Sequence, residues 1–184
     1  MPEGIPLPGH KKPTEREARR WQVGRSEDWR FPDKKYETGG DQPGLRICPR
    51  CHAISEEKRW YYDEHRYEVL KSRPDAQFVV CPGCLRIERQ MYGGEVILRS
   101  PLLVANKEQA LHLIYHTEEE AKANNPIARL ASVEDRGQEI RVLTTTTWLA
   151  KRIGKEFEKA FGGNLEIQSL PREKFARVHW AREG

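Results

Sequence analysis

The sequence has no long apolar run. Its most apolar stretches, such as QFVVC and SPLLVA, are far shorter than the roughly 18–20 residues that a membrane-spanning helix needs. The first residues, MPEGIPLPGHKK, contain no apolar core of a secretory signal peptide. We therefore expect a cytoplasmic protein without a membrane segment.

Recognisable catalytic motifs are also missing. The sequence contains no G-x-x-x-x-G-K-[ST] phosphate loop, and YGGE and FGGN read as turns rather than as dinucleotide-binding fingerprints. His112 and His116 are four residues apart on a predicted helix but lack the Glu of an H-E-x-x-H motif, so we interpret them as a half-exposed helix face. We expect a protein that is not an enzyme. A site assembled from these histidines and their acidic neighbours is the alternative.

Cysteine is scarce, and its distribution is informative. All four cysteines fall in two Cys-Pro-x-Cys clips, ICPRCHAI at 47–54 and VVCPGCLRI at 79–87. Because cytosolic proteins rarely contain structural disulfides, such pairs indicate a metal site or redox chemistry. Two clips together supply the four thiolates that Zn²⁺ prefers in a closed tetrahedral site. The predicted zinc ligands are Cys48, Cys51, Cys81 and Cys84.

The prolines and the glycine of the clips are predicted to shape the two turns. Pro49 and Pro82 fix φ in their turns, and Gly83 is expected to allow a positive φ in the second one. Because four cysteines fill a tetrahedral site, no position remains for water or substrate, so the metal is predicted to be structural.

The spacing of the cysteines does not by itself identify the metal. The clips also resemble those of rubredoxin, which binds one iron with four cysteines, but His52 and Leu85 stand where rubredoxin has glycine. A thioredoxin-type redox pair is a further alternative, although no βαβ pattern surrounds either clip. Zinc is the predicted metal, and an iron electron carrier is the alternative.

Residues 1–44 are predicted to form a tail that is disordered or becomes ordered on a partner, since they are rich in proline and poor in apolar residues. The segments Arg19–Trp21 and Trp29–Phe31 place cations beside aromatic rings. This combination suits stacking on nucleic-acid bases.

Residues 45–92 are predicted to form a zinc ribbon-like module, called the metal module below. The spacer between its clips is longer than in a usual ribbon, so an inserted helix that ends before Pro74 is expected. The apolar positions that fit this helix are Trp60, Tyr61, Tyr67, Val69 and Leu70.

Residues 93–184 are predicted to form an α/β sandwich domain. Five strand patterns, GEVILRS, IARLASVED, QEIRVLTT, NLEIQSL and KFARVHW, alternate with the helix patterns KEQALHLIYHTEEEAKA and TWLAKRIGKEFEKAF. Their order, βαββαβ plus one strand, is typical of a ferredoxin-like domain with an extension. The predicted fold class is therefore α+β, with a zinc ribbon-like four-cysteine module followed by a ferredoxin-like domain.

Basic residues near the clips and on the last predicted helix are the candidate RNA contacts. They are Arg50, Arg86, Arg89, Thr147, Lys151, Arg152 and Lys155. Arginines beside a metal site often contact phosphate, and a threonine at a helix start adds a hydroxyl donor. The alternative is a solvated helix face preceded by ordinary strand and capping threonines. A net charge of +4 permits a nucleic-acid partner without requiring one.

The segments CPRCHAI, CPGCLRIERQMYGGEV and VLTTTTWLAKRIGKEFEKAFGG resemble a group of small bacterial zinc-clip proteins, over about residues 45–180. More distantly, the clips are similar to those of the Nmd-type export adaptor of the large ribosomal subunit, which has more cysteine pairs and further domains. The resemblance implies Zn²⁺ on the four clip cysteines. The closed cysteine set, the missing catalytic motifs, the arginines beside the clips and the cations and aromatic rings of the tail together predict a non-enzymatic zinc protein with RNA or the ribosome as partner. A zinc-stabilised protein–protein adaptor is the alternative function.

Overall fold

The computed structural model describes residues 44–56 and 59–183, which form two mixed sheets and five helices. The metal module contains β1 (Arg46–Ile47), β2 (Ile54–Glu56), β3 (Arg59–Tyr61), α1 (Glu64–Leu70), β4 (Gln77–Phe78) and α2 (Pro82–Glu88). The following α/β unit contains β5 (Gly94–Arg99), α3 (Leu102–Ala105), α4 (Lys107–Asn124), β6 (Leu130–Asp135), β7 (Glu139–Thr144), α5 (Thr147–Phe161), β8 (Asn164–Leu170) and β9 (Phe175–Ala181). The α+β prediction is confirmed. The predicted tail, apart from its last residue, lies outside the described residues.

The sheet of the metal module is short and has a small core. Its order is β3-β2-β1-β4, with β1 antiparallel to β2 and parallel to β4. The buried apolar residues beneath it are Leu45, Ile47, Ile54 and Leu70. Strands of two or three residues with so few buried side chains need a further source of stability, such as a bound metal.

The helix α1, which lies between the two clips of the metal module, is shorter than predicted. It begins at Glu64, because the Asp63 carboxylate accepts a hydrogen bond from the Arg66 amide at 2.9 Å and caps the first turn. Trp60 and Tyr61, which were expected on this helix, lie in β3 and pair with Ser55 and Ile54 of β2. A three-residue strand is too short to show an alternation that sequence analysis can recognise.

The second sheet has the order β6-β7-β5-β9-β8, and α5 packs against β5 and β9. The apolar residues of α5 repeat at i and i+4 and face the sheet, as expected for an amphipathic helix. The largest buried side chains of this core are Val96, Leu98, Leu103, Ile114, Ile140, Val142, Leu149, Ile153, Phe157 and Trp180.

Apart from the short helix α3, which is not part of the predicted pattern, the element order of this unit follows the prediction. The lateral order of its strands differs from a ferredoxin-like sheet. Such a sheet places the strand after its second helix beside its first strand. Here β9 occupies that position, parallel to β5, and β8 lies at the edge. The physical reason is burial, since β9 contributes four fully or nearly fully buried side chains, Phe175, Ala176, Val178 and Trp180. The predicted extension is therefore an interior strand, paired on both sides.

None of the helices in the described part of the chain combines the length and the apolar surface that crossing a membrane requires.

Candidate metal centre

The two clips meet, and the Sγ atoms of Cys48, Cys51, Cys81 and Cys84 all lie within 4.8 Å of one another. The sulfurs of Cys51 and Cys81 are 3.5 Å apart. Four sulfurs around one tetrahedral Zn²⁺ at 2.3 Å would be separated by about 3.8 Å. Three of the cysteines are buried and Cys51 is half-buried. The donor set and its spacing fit one tetrahedral metal ion.

The first clip is a tight turn between β1 and β2. The Cys48 amide donates to the Ala53 carbonyl at 2.8 Å, and the His52 amide donates to the Cys48 carbonyl at 3.0 Å. His52 has a φ of 62°, in the left-handed region that favours glycine. Its ring stacks on Tyr67 at 3.9 Å, and its Nδ1 lies 3.1 Å from Glu64 Oε1. These contacts hold a histidine where a rubredoxin clip has glycine.

The second clip is the first turn of a helix. Cys81 is the N-cap of α2, Pro82 is its first residue, and the Cys84 amide donates to Cys81 Sγ at 3.4 Å. The Cys81 amide donates in turn to Cys48 Sγ at 3.3 Å. Proline suits the first helical position, and a helix N-terminus stabilises thiolates. The sequence predicts two similar turns, as in a zinc ribbon. The second cysteine pair differs from that prediction because it lies in the first turn of a helix.

Gly83 serves close packing and not a positive φ. It lies within α2, and a Cβ added to it would be 2.5 Å from the backbone oxygen of Pro126. A backbone atom has little freedom to move away. The absence of a side chain therefore lets α2 pack against the segment that joins α4 to β6, and the predicted role of Gly83 is corrected.

The thiols of the cluster compete for protons. Hydrogen bonds from Cys48, and then from Cys81 and Cys84, hold the pKa of Cys51 far below its usual range. Bonds from Cys48 and Cys51 raise the pKa of both Cys81 and Cys84. Four thiolates this close repel one another. The positive charge of a bound divalent cation offsets that repulsion, so all four thiols can be deprotonated at once.

Two residues that sequence analysis did not identify surround Cys51. The Tyr62 hydroxyl donates to Cys51 Sγ at 3.4 Å, and Arg129 Nη1 donates to the Tyr62 oxygen. Burial, and then the bond to Cys51, raise the pKa of Tyr62, which keeps its proton for donation. Arg129 also pairs with Glu118 at 3.3 Å. Nothing in the sequence connects Arg129 to the clips, because the contact joins residues far apart in the chain.

The candidate arginines near the clips are in structural contacts or at the surface. Arg50 pairs with Glu88 at 3.3 Å, and both side chains are about half exposed. Arg86 Nη1 donates to the Thr145 carbonyl at 3.3 Å, so α2 contacts the loop just before α5. Arg89 is exposed at the C-terminal end of α2.

The threonines before α5 mostly serve the backbone. Thr144 Oγ1 donates to the Thr146 carbonyl at 2.8 Å, and Thr145 Oγ1 donates to the Ile127 carbonyl. Thr146 is the N-cap and accepts from the Leu149 amide at 3.3 Å. Candidate Thr147 follows as the first, half-buried residue of the helix. The interpretation as strand and capping residues therefore accounts for three of the four hydroxyls.

The exposed face of α5 carries an aromatic side chain and a row of cations. Trp148 is 49% exposed, and the Arg152 guanidinium lies 5.3 Å from its ring centroid while also pairing with Glu120. Lys151, Arg152, Lys155 and Lys159 follow Trp148 at i+3, i+4, i+7 and i+11, so they share one helix face. We call these five residues the α5 face. Among the described residues, no acidic group lies within ion-pair distance of its three lysines.

His112 and His116 lie on the exposed side of α4, with ring centroids 6.0 Å apart. His112 borders an open groove of about 500 Å³ between α4 and the end of α5. Over residues 44–56 and 59–183, the cysteine cluster is the one group of three or more side chains arranged to hold a metal.

No family model, no curated protein and no solved structure matches this chain. The resemblance of the clips to bacterial zinc-clip proteins and to the ribosomal export adaptor therefore stays a prediction.

Proposed function

We propose that this protein is a cytoplasmic, non-enzymatic zinc protein that binds RNA or the ribosome. The observation that carries the RNA part is the α5 face, where an exposed tryptophan stands among four cations. The resemblance of the clips to zinc-clip and ribosomal adaptor proteins supports the same function and suggests a role in ribosome assembly.

In this proposal the four cysteines hold one Zn²⁺. A closed tetrathiolate site supplies folding free energy and no catalytic position. That role matches the small core of the metal module, where apart from the cysteines only five apolar residues are buried. Residues 45–92 then act as a compact, zinc ribbon-like unit beside the α/β unit of residues 93–184.

The α5 face suits RNA because its two kinds of side chain bind different parts of the nucleotide. Lysine ammonium groups bind phosphates at any sequence, and an exposed indole stacks on an unpaired base. Single-stranded segments present both groups at once. Arg86 connects α2 of the metal module to the loop before this face, and Arg89 lies on the same helix. We therefore propose that α2 and α5 both contact the RNA backbone.

Charge reversal on the α5 face tests this proposal. Lys151→Glu/Lys155→Glu is compared with Arg59→Glu/Arg172→Glu, which changes two exposed cations elsewhere by the same total charge. Binding of a mixed-sequence single-stranded RNA is measured across a salt series. We expect the slope of log affinity against log salt to become shallower by about 1.4 for the α5 variant, since each lost phosphate contact contributes about 0.7.

The control variant is expected to keep nearly the wild-type slope and affinity. Equal losses in both variants would show that only net charge matters, and wild-type protein that binds neither this RNA nor purified ribosomes at low salt would contradict the RNA function.

A protein–protein adaptor is the second candidate. Phe78 is 57% exposed on β4, the edge strand of the first sheet among the described strands. An exposed aromatic residue at a sheet edge is a common site for adding a partner strand. A partner complex that survives both high salt and the α5 charge reversal would favour this candidate.

A further inference from the structure

The metal centre contacts the α/β unit through the segment Pro126–Arg129. The first turn of α2 lies against the backbone of Pro126, as the space around Gly83 shows. Arg129 enters from the same segment and donates to the Tyr62 hydroxyl, which donates to Cys51 Sγ. A continuous chain of contacts therefore leads from a metal ligand to the α/β unit.

Arg129 also belongs to the backbone structure before α5. Its amide donates to Thr145 Oγ1 at 2.8 Å, and the Thr145 amide donates to the Arg129 carbonyl at 3.0 Å. Thr145 in turn accepts from Arg86 of α2 through its own carbonyl. One residue thus joins the environment of Cys51 to the start of the helix that carries the α5 face.

The charges around Tyr62 complement a loaded metal site. A divalent ion with four thiolates carries a net charge of about −2. The Arg129 side chain is only 16% exposed, and Lys122 Nζ lies 4.9 Å from the centroid of the Tyr62 ring. Glu118 is the acidic partner of Arg129. A buried cation is favourable where several negative groups surround it, and the loaded centre supplies additional negative charge.

We propose that Tyr62 and Arg129 couple metal occupancy to the docking of the metal module on the α/β unit. This inference rests on the metal part of the proposed function. With metal bound, Cys51 Sγ is a fixed, charged acceptor, and the Tyr62–Arg129 contacts hold α2 against Pro126–Arg129. Loss of the metal frees the first turn of α2, and the contacts of Arg129 and Thr145 loosen with it. The relative position of α2 and the α5 face is then set only in the loaded protein.

Removing one hydroxyl group tests the bridge. Tyr62→Phe deletes the donor to Cys51 and keeps the ring, and Tyr115→Phe is the matched control on the exposed side of α4. Zn²⁺ affinity of the full chain is measured by competition with a chromophoric chelator. We expect Tyr62→Phe to bind Zn²⁺ about 10-fold more weakly, the lower end of the range for outer-shell partners, and Tyr115→Phe to bind as wild type.

Hydrogen exchange of the Arg129 and Thr145 amides tests the coupling itself. We expect both amides to exchange faster in metal-free wild type than in zinc-loaded wild type, and faster in zinc-saturated Tyr62→Phe than in zinc-saturated Tyr115→Phe. Metal removal that accelerates exchange in 46–56 and 82–88 but leaves these two amides unchanged would overturn the coupling, as would wild-type Zn²⁺ affinity in Tyr62→Phe.

Wild type that takes up no Zn²⁺ would overturn the metal centre as well, whereas zinc uptake without RNA binding would affect only the RNA function.

Discussion

Cys48→Ser is expected to unfold the metal module while the α/β unit stays folded. Structural Zn²⁺ contributes about 10–16 kcal/mol of apparent binding free energy in small zinc domains at neutral pH, and a missing thiolate forfeits much of it. Apart from its cysteines, the module has only five buried apolar residues to offset that loss, whereas the core of the α/β unit contains sixteen buried side chains. The measurement is amide hydrogen exchange over both parts of the chain, with and without a strong chelator.

A neighbouring buried residue provides the control for this prediction. Ile47→Val removes one methylene from the same small core and should cost about 0.5–1.5 kcal/mol, with exchange in the module only moderately faster. Chelator treatment of wild type should reproduce the Cys48→Ser pattern, and restored Zn²⁺ should reverse it. If amide exchange in the module is as slow in Cys48→Ser as in Ile47→Val, metal binding by the cluster does not contribute to folding.

Trp180→Ala is expected to be the most destabilising single change in the α/β unit. The side chain is fully buried on the interior strand β9, and its ring centroid lies 5.5 Å from that of Phe157. Its indole N–H donates to the Gly162 carbonyl at 2.6 Å. Truncating a buried tryptophan costs about 3–5 kcal/mol, and here the Gly162 carbonyl also loses its donor. Urea denaturation monitored by circular dichroism measures the free energy of unfolding.

Trp148→Ala is the matched control, since the same truncation is made on the exposed α5 face. It should change the free energy of unfolding by no more than about 0.5 kcal/mol. Loss of base stacking should weaken single-stranded RNA binding by about 1–3 kcal/mol. Equal destabilisation by the two variants would contradict the interior position of β9 and the burial of Trp180.

The cysteine cluster and α5 were predictable because each depends on local sequence. The Cys-Pro-x-Cys spacing brings two sulfurs together in any compact turn, and the structure brings the two pairs together. The helix Thr147–Phe161 was predicted with its observed bounds, since its apolar residues repeat every four positions and Gly162 ends it with a φ of 65°. In both cases neighbouring residues carry the complete signal.

The features that sequence analysis missed depend on contacts between distant residues. The order of elements along the chain leaves the lateral order of strands open, and burial of Trp180 decides that β9 lies beside β5. Residue 83 is glycine because a side chain there would clash with the backbone of Pro126, and no local sequence pattern reveals that contact. The Tyr62–Arg129 bond likewise exists only once both units have folded and docked.

Native mass spectrometry of the full chain, purified from its native cells at low salt, tests the metal centre most directly. The predicted result is one Zn²⁺ per chain with all four clip cysteines deprotonated, and a fraction of the protein carrying RNA. One iron per chain would instead support the electron-carrier alternative. A metal-free chain, with its cysteines as thiols or as disulfides, would contradict the account.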